Sequence, residues 1–450
     1  DMLYESLDAQ QQNLKDVIDE VVSEQFVIVG GAGSEQVELT QRLEDELNAT
    51  ADPLTAIADA QHRARGLQSL LREIMERARA ADEEAAAVLD GLKSEAVDLP
   101  PFLGAGYEDA VEAYEEALAE HEAAQREEML SGEADPHAVA GWWASLSEEE
   151  RADLVADERD AIRGLDGIPS AVRHDANMDY LAEYVEANPG DADAAALLEQ
   201  VRSEGLMLLG FEPATDRQAP HGAPSSDWSV IVATGDPDAA DNVGIYIPGT
   251  GSDTTLDGSS LKAGTGAYID YAGNIQSAAD RADPGADNVT VMWLGSDMPD
   301  TLLDAAGGSY AERAGAALDG YTNGVNATNT NGSGANVTHI GHSYGGVAAA
   351  YADAHGTGSG ADRTVMVGAP GPGDNDRAGA FNVGGDNVYV MESPNDEIGA
   401  VAGTPVHGPA PTSDHFGANV LDGGDGNHMS YFGSGTDTVD DLGELVTDDR

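Results

Sequence analysis

The chain of 450 residues contains no cysteine. Disulfides, thiolate metal sites and a cysteine nucleophile are therefore excluded. Lysine is nearly absent as well, with Lys15, Lys93 and Lys262 the only examples. Basic residues number 21 against 83 acidic ones, a net charge of −62. Such a surface repels phosphate backbones and anionic headgroups, so nucleic acid is excluded as a partner and an anionic membrane is disfavoured. Long hydrophobic runs are missing too. The longest, around Phe26-Val27-Ile28-Val29, falls far short of the ~18 apolar residues a bilayer span needs, and no transmembrane segment is expected. No signal-peptide pattern follows Asp1.

An acid-rich, lysine-poor surface stays hydrated in concentrated salt, where its self-repulsion is screened. A salt-tolerant source is the favoured reading, and an arginine-preferring genome is the alternative. The melting temperature is expected to climb as NaCl is raised, because the Debye length shrinks from ~30 Å at 0.01 M to ~3 Å at 1 M. A flat melting temperature over that range would assign the acidity to genomic bias or local compensation. Acidification toward pH 5 should relieve part of the same repulsion by protonating crowded carboxylates.

The pattern of apolar residues changes near residues 205–225. Before it, helical spacing dominates: Leu3, Leu7, Leu14, Ile18 and Val21, then Leu67, Leu70, Leu71, Ile74 and Met75. Pro53 suits the first turn of the long Ala/Glu/Arg-rich piece to about Leu92. After Trp142-Trp143, Ser147 and Glu150 have the spacing of a capping box. Amphipathic helices of this kind need partners, which predicts antiparallel hairpins. From Leu206 onward short β-rich runs appear at 206–211, 228–233, 244–247, 289–294, 337–340, 364–367 and 388–391. Ala-rich helical stretches separate several of them, which predicts a mostly parallel sheet with helices on both faces. The expected organisation is an all-α helical-hairpin domain over 1–204 and a catalytic α/β domain over 205–450. Within the first, residues 140–204 are lead-in helices packing on the second.

Gly341-His342-Ser343-Tyr344-Gly345 carries the chemistry. It follows the apolar run Val337-Thr338-His339-Ile340 and opens a small-residue helical segment. A G-x-S-x-G pattern between strand and helix is the nucleophile elbow of an α/β-hydrolase. A serine hydroxyl needs a base to take its proton and an acid to fix that base's tautomer, in the chain order serine, acid, histidine. Four histidines follow: His355, His407, His415 and His428. His355 lies on the helix leaving the elbow and cannot turn back. His428 lies in a Gly-rich loop before the last element and is the expected base, with His415 and His407 as alternatives. The acid should stand past the second strand after the elbow, which selects Asp396, with Glu392 and Glu397 as alternatives. The oxyanion needs preorganised N–H donors. One is expected from Tyr344, the other from the turn Pro248-Gly249-Thr250-Gly251-Ser252, with Thr250 preferred and Gly251 next. No cofactor is expected, and the Gly/Asp turn at 422–427 lacks an EF-hand's spacing and terminal glutamate.

Several separate motifs resemble one family. Trp142-Trp143-Ala144-Ser145-Leu146-Ser147, Leu165–Pro169, Val172–Asn177, Tyr246–Ser252, Gly341–Gly346, Gly368-Ala369-Pro370-Gly371 and His428-Met429-Ser430-Tyr431-Phe432 are similar to the actinobacterial α/β-hydrolases once grouped as DUF1023. The resemblance spans roughly residues 140–435. It implies an α/β-hydrolase fold and Ser343, Asp396 and His428 as the triad, and it supplies no substrate. Many members carry an N-terminal helical region similar to the helical-hairpin proteins of type VII secretion, although residues 1–135 hold no W-x-G turn. The expected activity is hydrolysis of a small carboxylic ester, or of a lipid, through an acyl-enzyme. The alternatives are an exported effector or toxin, whose helices engage a secretion-machinery partner, and a non-catalytic binding protein on the same fold. A secreted or cell-envelope location is favoured, and the oligomeric state is left open.

Overall fold

The computed structural model describes residues 26–29, 36–39, 122–213, 228–249, 265–299, 308–331, 334–355, 360–400 and 407–448, with a few isolated positions besides. The chain divides into two compact units, Asp1–Glu127 and Glu128–Arg450. In the first, β1 (Phe26–Val29) pairs antiparallel with β2 (Gln36–Leu39), Phe26 opposite Leu39. This hairpin corrects the all-helical expectation locally. Val27, Ile28 and Val29 are β-branched, a run that loses side-chain freedom in a helix and fits a strand. The helical stripes expected around Leu3–Val21 and Pro53–Leu92 lie outside the described residues.

After helical residues 128–130, the second unit continues with four helices: α1 (Pro136–Ser145), α2 (Glu148–Ile162), α3 (Ser170–Ala187) and α4 (Ala192–Glu204). Helix α2 starts at the expected capping box, with the Glu150 N–H donating to Ser147 Oγ and the Ser147 N–H donating to Glu150 Oε2. Trp142, Trp143, Ile162 and Ile168 form one core under α1 and α2, whereas Leu181, Leu197 and Val201 of α3 and α4 join the core of the sheet. Buried polar contacts stitch these helices down. Arg163 donates to Phe211 O at 2.6 Å, and Ser170 Oγ donates to Asp238 Oδ1 at 2.7 Å. The boundary between compact units thus falls at Glu127/Glu128, upstream of the change of period near residue 204. A helical period reveals that a stripe is buried and not which element buries it.

Eight strands follow: β3 (Met207–Glu212), β4 (Ser229–Ala233), β5 (Asn242–Ile247), β6 (Asn288–Leu294), β7 (Asn336–His342), β8 (Arg363–Val367), β9 (Val388–Glu392) and β10 (Asn419–Asp422). Their order across the sheet is β3-β4-β6-β5-β7-β8-β9-β10. The β3–β4 and β4–β6 pairs are antiparallel and every other pair is parallel. This is the α/β-hydrolase sheet. Strands β5, β6 and β8 are buried at every position, which is why they read as continuous apolar runs rather than alternating ones. Strand β10 escapes a hydropathy reading, because Asn419 and Asp422 flank only two apolar residues and its edge position leaves Val420 55% exposed.

Four helices cover the sheet: α5 (Thr265–Ala282), α6 (Ser309–Thr328), α7 (Tyr344–His355) and α8 (Asp437–Thr447). The β5–α5–β6 connection runs one way along the sheet, while β6–α6–β7 and β7–α7–β8 run the other. Right-handed crossovers then place α5 on one face and α6 with α7 on the other, and α8 packs beside α5. Among the described residues no helix is long and apolar enough to cross a membrane. A fully buried polar set braces the centre. His339 of β7 lies 3.1 Å from Asp353 of α7 and 2.9 Å from Thr322 of α6, and Thr364 of β8 donates to Asp353. The strand entering residue 343 and the helix leaving it are thereby locked together.

Candidate active site

At the carboxyl end of β7 the chain turns directly into α7 through Ser343. Its φ of 55° makes it the sole described non-glycine residue in the left-handed region. That conformation costs an L-residue on the order of 1–3 kcal/mol and persists only where surroundings enforce it. Here the Ser343 N–H donates to Val367 O at 2.9 Å, and Ser343 O accepts the Gly346 N–H at 3.0 Å. The flanking glycines are sterically required. A Cβ on Gly341 would stand 2.5 Å from Gly345 O, and one on Gly345 would stand 2.1 Å from Ile247 O. Ser343 is 8% exposed.

The turn after β5 runs against this elbow. A Cβ at Gly249 would lie 2.6 Å from Ser343 Cβ and 3.0 Å from the Tyr344 backbone nitrogen. Tyr344 begins α7, so its N–H belongs to the positive end of that helix, where developing negative charge is favoured. Thr250 and Gly251 lie outside the described residues.

Asp396 follows β9 in a turn closed by the Asp396 N–H donating to Ser393 O. Its buried carboxylate accepts three hydrogen bonds: His428 Nδ1 at 2.9 Å, Tyr431 Oη at 2.6 Å and the Ile398 N–H at 2.8 Å. Burial pushes the carboxyl pKa up, but the bonds from His428, Tyr431 and Ile398 outweigh it and hold the group below the ordinary aspartate value. Facing an ionised carboxylate, Nδ1 of His428 carries the proton and leaves Nε2 as the basic nitrogen. Glu392 is instead raised by burial and then by the neighbouring Asp396 charge, as suits a carboxyl without a cation. His415 is exposed on its loop. His407 packs edge-on against Tyr344, ring centres 6.3 Å apart, beside a cavity of about 400 Å³ that Tyr351, Asp374 and Asp376 also line. Of the histidines considered, His428 is the one brought to Asp396.

Two residues of this site were not singled out by the sequence reading. Tyr431 stood in a quoted motif, and nothing in its spacing shows that its hydroxyl reaches Asp396 while accepting the Ser393 N–H. His342 occupies the variable position of G-x-S-x-G. It is buried, its ring lies 4.8 Å from the His428 ring at 34°, and its Nε2 meets His428 O at 2.9 Å. A carbonyl only accepts, so Nε2 donates. Burial, then the nearby His428, depress the His342 pKa to about 3.

That depression makes a pH prediction. Below an unfolded value of ~6.5 the unfolded chain takes up a proton that the folded chain refuses until about pH 3. Stability contributed by neutral His342 is therefore complete above pH 6.5 and is lost downward at ~1.4 kcal/mol per pH unit. At pH 5 the loss amounts to about 2 kcal/mol and opposes the gain from protonating crowded surface carboxylates. Urea unfolding of wild type and His342→Gln at pH 7 and pH 5 measures it. The stability difference between the two proteins should shift by that amount between the two pH values, and an unchanged difference would contradict a buried neutral imidazole.

Residues 223–406 match a family model described as an alpha/beta hydrolase. Over 292 residues the chain is 30% identical to uncharacterized proteins from two strains of Mycobacterium tuberculosis, MT2140 of CDC 1551 / Oshkosh and Rv2079 of ATCC 25618 / H37Rv. The match covers 58% of this chain and 43% of each relative, so the chain spans less than half their length. Among solved structures, esterase 2 of Thermogutta terrifontis aligns with a TM-score of 0.29 and 8% identity over 52% of this chain and 90% of that one. A truncated carbohydrate esterase from gut microbiota aligns with a TM-score of 0.31 and 13% identity over 53% and 95%.

Proposed function

With residues 223–406 belonging to the α/β-hydrolase family once called DUF1023, we propose that the protein is a serine hydrolase that cleaves a carboxylic ester through an acyl-enzyme. The observations that carry this reading are the bonding of His428 to Asp396 and of His428 O to His342, the residue before a serine at φ 55°. In this reading Ser343 Oγ attacks the ester carbonyl while His428 Nε2 takes the hydroxyl proton. Asp396 fixes the ring and stabilises the imidazolium as it forms. The Tyr344 N–H and a second N–H from the turn at Thr250 or Gly251 receive the oxyanion. His428 then returns the proton to the departing alcohol. A water, deprotonated by the same nitrogen, releases the acid and frees Ser343.

The cavity of about 400 Å³ beside Tyr344 lies in the range of small-molecule sites. Its lining mixes Tyr344, Tyr351 and His407 with Asp374 and Asp376 and includes none of Ser343, Asp396 and His428, so the acyl-chain preference is a matter for assay. Hydrolysis of p-nitrophenyl esters from acetyl to palmitoyl tests this. Turnover is expected within the series, and its optimum sets the acyl-chain class. A palmitoyl optimum would assign a lipid substrate, and the absence of turnover across the series would favour a binding protein on a hydrolase fold.

A further inference from the structure

We propose that His342 is a positioning residue for His428, setting the distance between base and nucleophile through its hydrogen bond to the His428 carbonyl. This rests on the reading of Ser343 and His428 as nucleophile and base. His428 is carried by the segment between β10 and α8, where Gly423, Gly424 and Gly426 precede it. Fixing so glycine-rich a backbone is entropically costly. Asp396 grips the imidazole of His428 at Nδ1, which orients the ring without holding the main chain. Upstream, Ser393 Oγ donates to Gly426 O and Asn395 Nδ2 to Asp425 O, and at His428 itself the main chain is held by the donation from His342 Nε2 to His428 O at 2.9 Å.

His342 is well suited to be the fixed end of that link. It is the last residue of β7, registered against Val367 of β8, with Gly341 before it opposite Ile247 of β5. It is one peptide bond from Ser343. Phe432 and Tyr431 pack edge-on to its ring, with centres 5.2 and 6.1 Å away. A chain of two links, Ser343 to His342 to His428, therefore joins nucleophile to base independently of the sheet's far edge. The chemistry also favours a neutral donor here. His428 turns cationic in the transition state only 4.8 Å away, and a second cation would oppose it. His342 remains uncharged down to about pH 3, so it donates throughout the working range without competing for the serine proton.

Two variants separate donation from packing. His342→Phe keeps a ring against His428 and removes the donor, whereas His342→Gln keeps an amide N–H within reach of the carbonyl. Misplacement of a catalytic group by about 1 Å costs on the order of 10²-fold. For p-nitrophenyl acetate, His342→Phe is expected to lose about 10²-fold in kcat with KM within about twofold, and His342→Gln to recover most of the loss. Wild-type kcat in His342→Phe, or equal losses in both variants, would overturn the proposal. Should His342→Phe not fold, nitrogen NMR of histidine-labelled wild type decides instead. The His342 proton must sit on Nε2 and exchange slowly, and a proton on Nδ1 would refute the link. His428→Ala is assayed alongside. If it keeps its activity, base and positioning residue fall together. If it is inactive while His342→Phe matches wild type, the positioning role alone falls.

Discussion

Ser343→Ala is expected to reduce ester hydrolysis by on the order of 10⁴–10⁶-fold, since removing the nucleophile of a triad enzyme removes the covalent route. The fold should survive. Alanine deletes one hydroxyl, while the backbone bonds that enforce the turn, to Val367 and from Gly346, involve main chain alone. The strained φ of 55° suits alanine no worse than serine. Circular dichroism and melting temperature should therefore match wild type while kcat collapses. Activity above a hundredth of wild type would require another nucleophile.

His428→Ala and Asp396→Asn should each cost several orders of magnitude and should not add to Ser343→Ala. The two arrive at their losses differently. Alanine at 428 removes the base. Asparagine at 396 keeps the shape while exchanging an acceptor pair for an acceptor and a donor, so Nδ1 of His428 no longer faces a carboxylate. The wrong tautomer is then favoured, which in a triad costs about 10⁴ in kcat. Tyr431 and the Ile398 N–H would each seek an acceptor on the same side chain, so Asp396→Asn should also destabilise the turn. Steady-state kinetics of the single and double variants checks both points. Full additivity of His428→Ala with Ser343→Ala would mean that these residues do not act as a unit.

Legibility in the sequence followed burial. Strands β5, β6, β7 and β8 were visible as continuous apolar runs because both faces of the sheet are covered. The elbow was visible because sterics there admit only glycine at 341 and 345. Asp396 was chosen from a crowd of acidic residues by its position after β9 rather than by its type. What stayed hidden depends on three-dimensional neighbours. The β1–β2 hairpin is two four-residue runs inside a stretch whose apolar spacing in the sequence is helical. Strand β10 is half polar at an exposed edge. The donations from Tyr431 and His342 join residues whose spacing carries no period, whereas packing of the helices within 140–204 on the α/β domain was an expectation of the sequence. The donors facing Asp396 and His428 come from positions that a motif records only as fixed or variable.

The most direct test of the central claim is covalent. The 450-residue chain treated with a serine-directed fluorophosphonate, digested and analysed by mass spectrometry, should carry one equivalent of label on Ser343. Labelling should be lost in Ser343→Ala and strongly slowed in His428→Ala, because the reaction needs the activated hydroxyl. A label on any other serine, or none on the active wild-type protein, would contradict the assignment of Ser343 as the nucleophile.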